Sequence, residues 1–157
     1  MQRRTRNRIC IWIIVVGLVN FLAYTIVYAE LGGDARNGGI EIKRNGDGTP
    51  VVDEDRDVVR VYYIKGHFIR GPAGERSDVH RWTWIYSYLH SISIWPTQGA
   101  LMICMLILAQ PHIIATMREN SVMQGTTFVS VAITLVAVVY TAMSVWFVLG
   151  FIGELKG

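Results

Sequence analysis

Formal charge is scarce over much of this sequence and unevenly placed. The 157 residues include 15 Lys and Arg and 12 Asp and Glu, which together make up 17% of the chain, against about 25% in typical soluble domains. Four of these charges are arginines within the first eight residues, and nineteen lie between Glu30 and Arg81. Since 52% of the residues are apolar, this distribution indicates a membrane protein with a basic tail and one polar insert.

Residues that commonly carry chemistry are also few. The sequence has two cysteines and four histidines, and it contains no CxxC pair, phosphate-binding loop or Ser–His–Asp pattern. Cys10 and Cys104 both lie in apolar runs, which predicts two buried free thiols. The alternative, a disulfide, requires both cysteines to lie at one depth. The apolar runs contain no Asp or Glu, which argues against an ion carrier or a proton pump.

The charge balance argues against a nucleic-acid partner. The formal net charge is +3, but the insert holds nine basic and ten acidic residues. No basic face remains for phosphates. Membrane lipid is the partner that the composition favours.

Three apolar runs are long enough to cross a hydrocarbon core of about 30 Å. They predict an all-α membrane protein of three transmembrane helices, with a polar insert that contains a small β-hairpin between helices 1 and 2. The predicted segments are a basic tail over 1–8, helix 1 over 9–29, the insert over 30–81, helix 2 over 82–110, a connection over 111–125, helix 3 over 126–151 and a tail over 152–157. Pro96 predicts a kink in helix 2, and Pro111 is expected to end it.

The first apolar run is 21 residues long, whereas the core of a secretory signal is usually about 7–15 residues. An uncleaved anchor helix is therefore the prediction. The clustered arginines place the N-terminus in the cytoplasm and the insert outside it. The expected location is a membrane, with multiple passes.

The insert has two parts with different patterns. Its second part is rich in β-branched and aromatic residues, which predicts a hairpin formed by Val58–Ile64 and His67–Arg70. Ile40–Lys43 is expected to join this hairpin as a further strand. Its first part, RNGDGTPVVDE, partly matches a calcium-binding EF-hand loop, with Asn45, Asp47 and Glu54 as candidate metal ligands. Lys43 occupies the first ligand position and Pro50 lies in the loop. An Asn-Gly-Asp-Gly turn explains the same residues.

His90 is the candidate cofactor-binding residue. At about 100° per residue, it falls on one polar stripe of helix 2 with Thr83, Ser87, Ser93, Thr97 and Cys104. Such a stripe faces protein or a water-filled cavity, and imidazole suits a haem ligand, a quinone contact or a proton relay. The alternative is a neutral histidine that is hydrogen-bonded to a neighbouring hydroxyl.

Helix packing has the clearest sequence signal. In helix 3, small residues recur at spacings of three and four, which predicts a contact seam (the α3 seam): Thr127, Ser130, Thr134, Ala137, Thr141 and Ser144. In helix 1, Asn20 lies at mid-membrane and requires a polar partner, for which the stripe of helix 2 is the candidate.

Together these features predict a structural or accessory membrane protein and no catalytic residues. The chain is expected to pack with other integral membrane subunits, or with itself, through the α3 seam, and to offer its insert as a docking surface. No cofactor is expected. The alternatives are a redox, quinone- or haem-associated subunit that uses His90, and a sensing or transport component that binds a ligand through the insert.

Overall fold

The structure, a computed structural model, describes residues 3–53, 57–66, 76–117 and 123–156. The elements in chain order are helix α1 (Arg3–Leu31), strands β1 (Asp34–Ile42), β2 (Arg60–Lys65) and β3 (Ser77–Val79), and helices α2 (Arg81–Thr116) and α3 (Gly125–Lys156). The protein is mostly helical, with a three-stranded antiparallel sheet between α1 and α2 in the chain.

All three helices are long and apolar enough to cross a membrane. They contain 29, 36 and 32 residues, and each is longer than the apolar run that predicts it. Helix α2 includes both Pro96 and Pro111, so the expected end at Pro111 is replaced by continuation to Thr116. The φ angle of proline fits a helix, so the chain can continue in helical conformation after it. The missing N–H of Pro111 removes only the hydrogen bond to the preceding turn.

The sheet has the strand order β1-β2-β3, with antiparallel pairs throughout. Ile40 pairs with Tyr62, and Tyr62 pairs with Val79. These three side chains share the face that packs on the protein core, as the two-residue period of a strand requires. Of the predicted hairpin, Val58–Ile64 overlaps β2, and its partner His67–Arg70 lies outside the described residues. The additional segment Ile40–Lys43 overlaps β1, which pairs with β2. The third strand of the sheet is Ser77–Val79.

The chain forms two compact units. The first, the helical unit, comprises residues 1–23 and 93–146. Its helices approach closely at small residues. A Cβ added at Gly99 would lie 2.8 Å from the Cβ of Tyr140, and one added at Gly125 would lie 2.8 Å from the Cα of Ile114. Gly99 therefore allows the aromatic ring of Tyr140 to pack against the backbone of α2.

The second unit, the sheet unit, comprises residues 24–92 and 147–157. Its core consists of Ala35, Ile64, Trp84 and Tyr88, each no more than 1% exposed. The ring of Phe151 lies 6.0 Å from that of Trp84 and 5.0 Å from that of Tyr88. The aromatic residues in the first turns of α2 therefore divide into two groups. Trp84 and Tyr88 fill the core, whereas Trp82 and Tyr86 are exposed.

Candidate functional site

The site forms where α1 ends and the chain reverses. Gly32 has a φ of +73°, a conformation that favours glycine. The amide of Gly33 donates to the carbonyl of Tyr28 at 3.0 Å, which satisfies a carbonyl of the last helical turn. This turn directs Asp34, the first residue of β1, back towards the helix that the chain has just left.

Asp34 is a buried carboxylate, only 6% exposed. Its Oδ2 accepts hydrogen bonds from the Tyr24 hydroxyl at 2.7 Å and from the Ser91 hydroxyl at 3.2 Å. Its Oδ1 accepts from the backbone amide of Asn37 at 3.0 Å. These contacts join α1, α2 and β1. Each of these three donors is an uncharged group.

A second buried contact lies beside this carboxylate. The amide of Ala35 donates to the Ser87 hydroxyl at 3.1 Å, and the Ser91 hydroxyl also donates to the carbonyl of Ser87 at 3.0 Å. Both serines are less than 5% exposed. Two hydroxyls on adjacent turns of α2 thus bind the start of β1. The Ser87 hydroxyl accepts from the Ala35 amide, and the Ser91 hydroxyl donates to the Asp34 carboxylate.

His90 lies next to this network. Its ring meets the ring of Tyr24 edge-on, with centroids 5.5 Å apart and an interplanar angle of 83°, and it lies 5.6 Å from the ring of Tyr86. Tyr24 therefore contacts His90 through its ring and Asp34 through its hydroxyl. This brings an imidazole, a phenol and a carboxyl group together, the groups that proton relays use. The haem or quinone role of His90 stays a prediction.

The calcium-loop candidates lie in a tight turn. The Asp47 carboxylate accepts hydrogen bonds from the Thr49 hydroxyl at 2.6 Å and from the Thr49 amide at 2.9 Å. The Asn45 side chain donates to the same hydroxyl at 3.2 Å. Glu54, the third candidate, lies outside the described residues. Among the described residues there is no group of three His, Cys, Asp or Glu side chains that could hold a metal ion, and the calcium site stays a prediction.

This turn has a testable pH dependence. The hydrogen bonds from Thr49 hold the pKa of the Asp47 carboxyl below its ordinary value. Because the folded-state pKa is lowered, the ionised carboxylate stabilises the turn at pH values above the pKa of an aspartate in the unfolded chain. This stabilisation is lost as the pH falls through the folded-state pKa. We expect Thr49→Val to raise the pKa of Asp47 towards its ordinary value, and Thr49→Ser to leave it low. An NMR titration of the Asp47 carboxyl measures both, and equal titration in the two variants would contradict the assignment.

In the helical unit, Asn20 donates to the hydroxyls of Ser93 and Thr97, at 3.3 and 3.1 Å. Both hydroxyls belong to the polar stripe of α2. Cys10 and Cys104 are free and buried. Helices α1 and α2 therefore bring together polar groups that are more than seventy positions apart in the chain.

Asp34, Tyr24 and Ser91 are functional candidates that the sequence reasoning missed. Asp34 lies three residues beyond the end of α1, outside the apolar runs of the sequence. The signal that points to it is the Gly32–Gly33 pair directly after a predicted helix. Such a pair predicts a chain reversal that returns the next residue to the helix end.

Searches of protein-family models, curated proteins and solved structures give no match to this chain. The geometry of the two units is therefore the basis for assigning a function.

Proposed function

We propose that the protein is a structural or accessory subunit of a membrane assembly, which packs against another integral membrane chain through the α3 seam. The observation that carries the proposal is that this chain leaves most of the seam uncovered. Within the helical unit, Thr127, Ser130, Thr134 and Thr141 are all exposed. The seam is therefore available to a second helix.

Packing inside the helical unit uses a different face of α3. Val129 is 2% exposed and Gly125 is also buried, and the ring of Tyr140 lies 6.1 Å from that of Trp95 on α2. At about 100° per residue, Val129 and Tyr140 are separated from the centre of the seam by roughly a quarter of the helix circumference or more. One face of α3 thus packs inside the helical unit, and the seam lies beside that face with four of its six residues exposed.

The chemistry of the seam favours a helix over lipid as its neighbour. Hydroxyl groups gain hydrogen bonds from a protein partner that acyl chains cannot offer, and small residues let two backbones approach closely. Ser130 and Thr134 line a shallow groove on α3 with Val131, Leu135 and Val138. Ala137, Thr141 and Ser144 line a second groove, of about 380 Å³, against Gly99 and Ala100 of α2. Small seam residues thus line part of both grooves.

The insert supports a polar docking surface. On the outer face of the sheet, the Arg76 guanidinium lies 4.0 Å from the centroid of the Tyr63 ring. It also bonds Glu41 at 2.6 Å and Asp78 at 3.0 Å. This face is charged and exposed, and a partner that binds there would need complementary polar groups rather than an apolar surface.

Site-specific photo-crosslinking in native membranes tests the seam. A benzophenone amino acid at position 141 is expected to yield a crosslinked product with a second integral membrane chain, because Thr141 lies on the seam. The matched control is position 139. Val139 is 47% exposed and lies about 160° from Thr141 around the helix, so a product there should be much weaker. Mass spectrometry identifies the partner, including a second copy of this chain.

Equal products at the two positions would contradict the proposal, as would the absence of a protein product at both 134 and 141. The probe at position 134 guards against a single unfavourable side-chain geometry. Extraction of the membranes with alkaline carbonate is a separate check of integral insertion. It distinguishes a chain that is not in the membrane from one that lacks a partner.

A further inference from the structure

A charged cleft of about 600 Å³ lies in the sheet unit, near the start of α2. It is lined by Asp53, Asp57, Val58, Arg60, Tyr62 and Arg81, together with Val59. Its volume is in the range of small-ligand sites, about 300–1,000 Å³. Two carboxylates and two guanidinium groups therefore surround a space that is large enough for a small polar ligand.

Three of these charges are not paired by any side chain that the structure describes. Among the described residues, none forms an ion pair or a side-chain hydrogen bond with Asp57, Arg60 or Arg81. All three are exposed. Beside β3, by contrast, Arg76 forms ion pairs with two carboxylates, those of Glu41 and Asp78. Arg60 and Arg81 have no such pairing among the described residues. Asp57, Arg60 and Arg81 are therefore open to a ligand as far as the described residues are concerned.

The cleft lies beside the first residues of an apolar helix. Arg81 begins α2, and the next residue, Trp82, is 68% exposed. An exposed tryptophan at the start of a membrane-crossing helix is typical of the lipid headgroup level. On the premise of the proposed function that α2 crosses a bilayer, Arg60 and Arg81 face lipid headgroups.

We propose that this cleft binds the headgroup of phosphatidylethanolamine. Arg60 and Arg81 bind the phosphate, because a guanidinium matches phosphate oxygens with paired N–H donors. Asp57 binds the primary ammonium, which donates a charge-assisted hydrogen bond to its carboxylate. The formal charges of the described lining residues cancel, which favours a zwitterionic headgroup over an anionic one. A choline headgroup carries no N–H group, so it gains less from the carboxylates.

Native mass spectrometry of the full chain tests the proposal. The protein is purified in mild detergent and exchanged against equal amounts of phosphatidylethanolamine, phosphatidylcholine and phosphatidylglycerol with the same acyl chains. We expect phosphatidylethanolamine to be retained about tenfold more than either competitor, the ratio that one charge-assisted hydrogen bond supplies. Arg60→Gln should lower this retention about tenfold, and Lys43→Gln, which removes an exposed cation elsewhere, should not change it.

Asp57→Asn separates the two halves of the site. It should lower the retention of phosphatidylethanolamine, because the ammonium loses a carboxylate. The retention of phosphatidylglycerol should stay the same or rise, because the phosphate keeps both arginines. Circular dichroism of each variant establishes that it is folded, and Arg81→Gln provides a second phosphate-side variant if Arg60→Gln does not fold.

Equal retention of the three lipids would overturn the proposal, and so would a preference for phosphatidylglycerol. Retention of phosphatidylethanolamine that neither arginine variant changes would also overturn it, because the lipid would then bind elsewhere. Loss of the α3 crosslink with normal lipid retention would instead overturn the proposed function, so the two failures are distinguishable.

Discussion

Gly38→Ala is expected to disrupt the pairing of β1 with β2. A Cβ at this position would lie 2.0 Å from the carbonyl oxygen of Tyr63 and 2.8 Å from the Cα of Ile64. Both atoms belong to the backbone of the neighbouring strand and cannot rotate away. Gly38 lies in the irregular part of the β1–β2 pairing, between Asp34 and Gly39, where the two backbones come close together. We expect a loss of about 4 kcal/mol in the stability of the sheet unit.

Hydrogen exchange in detergent measures this effect directly. The backbone amides of β1 and β2 should lose protection in the variant, while the amides of α3 in the helical unit keep theirs. Gly46→Ala is the matched control, because an added Cβ there has no atom within 4 Å. Unchanged protection of β2 in Gly38→Ala would show that the two strands are farther apart than in this structure.

Asp34→Ala is expected to destabilise the sheet unit by about 2–3 kcal/mol, because it removes a buried carboxylate that accepts three hydrogen bonds, each with a net worth of about 1 kcal/mol. The donors are the Tyr24 hydroxyl, the Ser91 hydroxyl and the Asn37 amide. They come from three elements, so the loss should loosen β1 from both helices. Denaturant unfolding in detergent, followed by the fluorescence of buried Trp84, measures the change.

Graded variants identify the cause. Tyr24→Phe removes one donor and leaves the carboxylate, so its effect should be smaller, about 1 kcal/mol. Asp34→Asn keeps the side-chain volume and one acceptor oxygen, and it should fall between Tyr24→Phe and Asp34→Ala. Asp78→Ala removes a carboxylate whose side chain is 62% exposed, and it should leave stability unchanged. An effect of Asp34→Ala no larger than that of Asp78→Ala would contradict the buried network.

The polar stripe of α2 shows how far side-chain periodicity predicts contacts. Ser87, Ser93 and Thr97 are on the stripe, and each bonds a group from another element: Ser87 bonds Ala35, and Ser93 and Thr97 bond Asn20. Ser91 was not on the stripe, yet it bonds Asp34. The period of a helix identifies one polar face, but it does not show that a strand will approach a neighbouring face with a carboxylate.

The α3 seam illustrates the opposite case. Its spacing is a property of the sequence, and it predicts a face suited to helix contact. Spacing alone does not reveal whether that contact lies inside the chain or outside it. In the structure, Val129 and Tyr140 face the rest of the helical unit, and Thr134 and Thr141 remain exposed. The division of α3 between internal packing and a free seam follows from the tertiary structure.

The sequence by itself determined three long apolar helices and a polar insert with strands, because run length, charge placement and residue periodicity are local properties of the chain. Only the tertiary structure decided that Trp84 and Tyr88 fill a core and that Asp34 joins Tyr24 and Ser91. The Asp34 contacts span 10 and 57 positions of the chain. They exist because Gly32 and Gly33 reverse the chain after α1, and because the sheet then packs its apolar face on α2 and α3, outcomes that no local pattern contains.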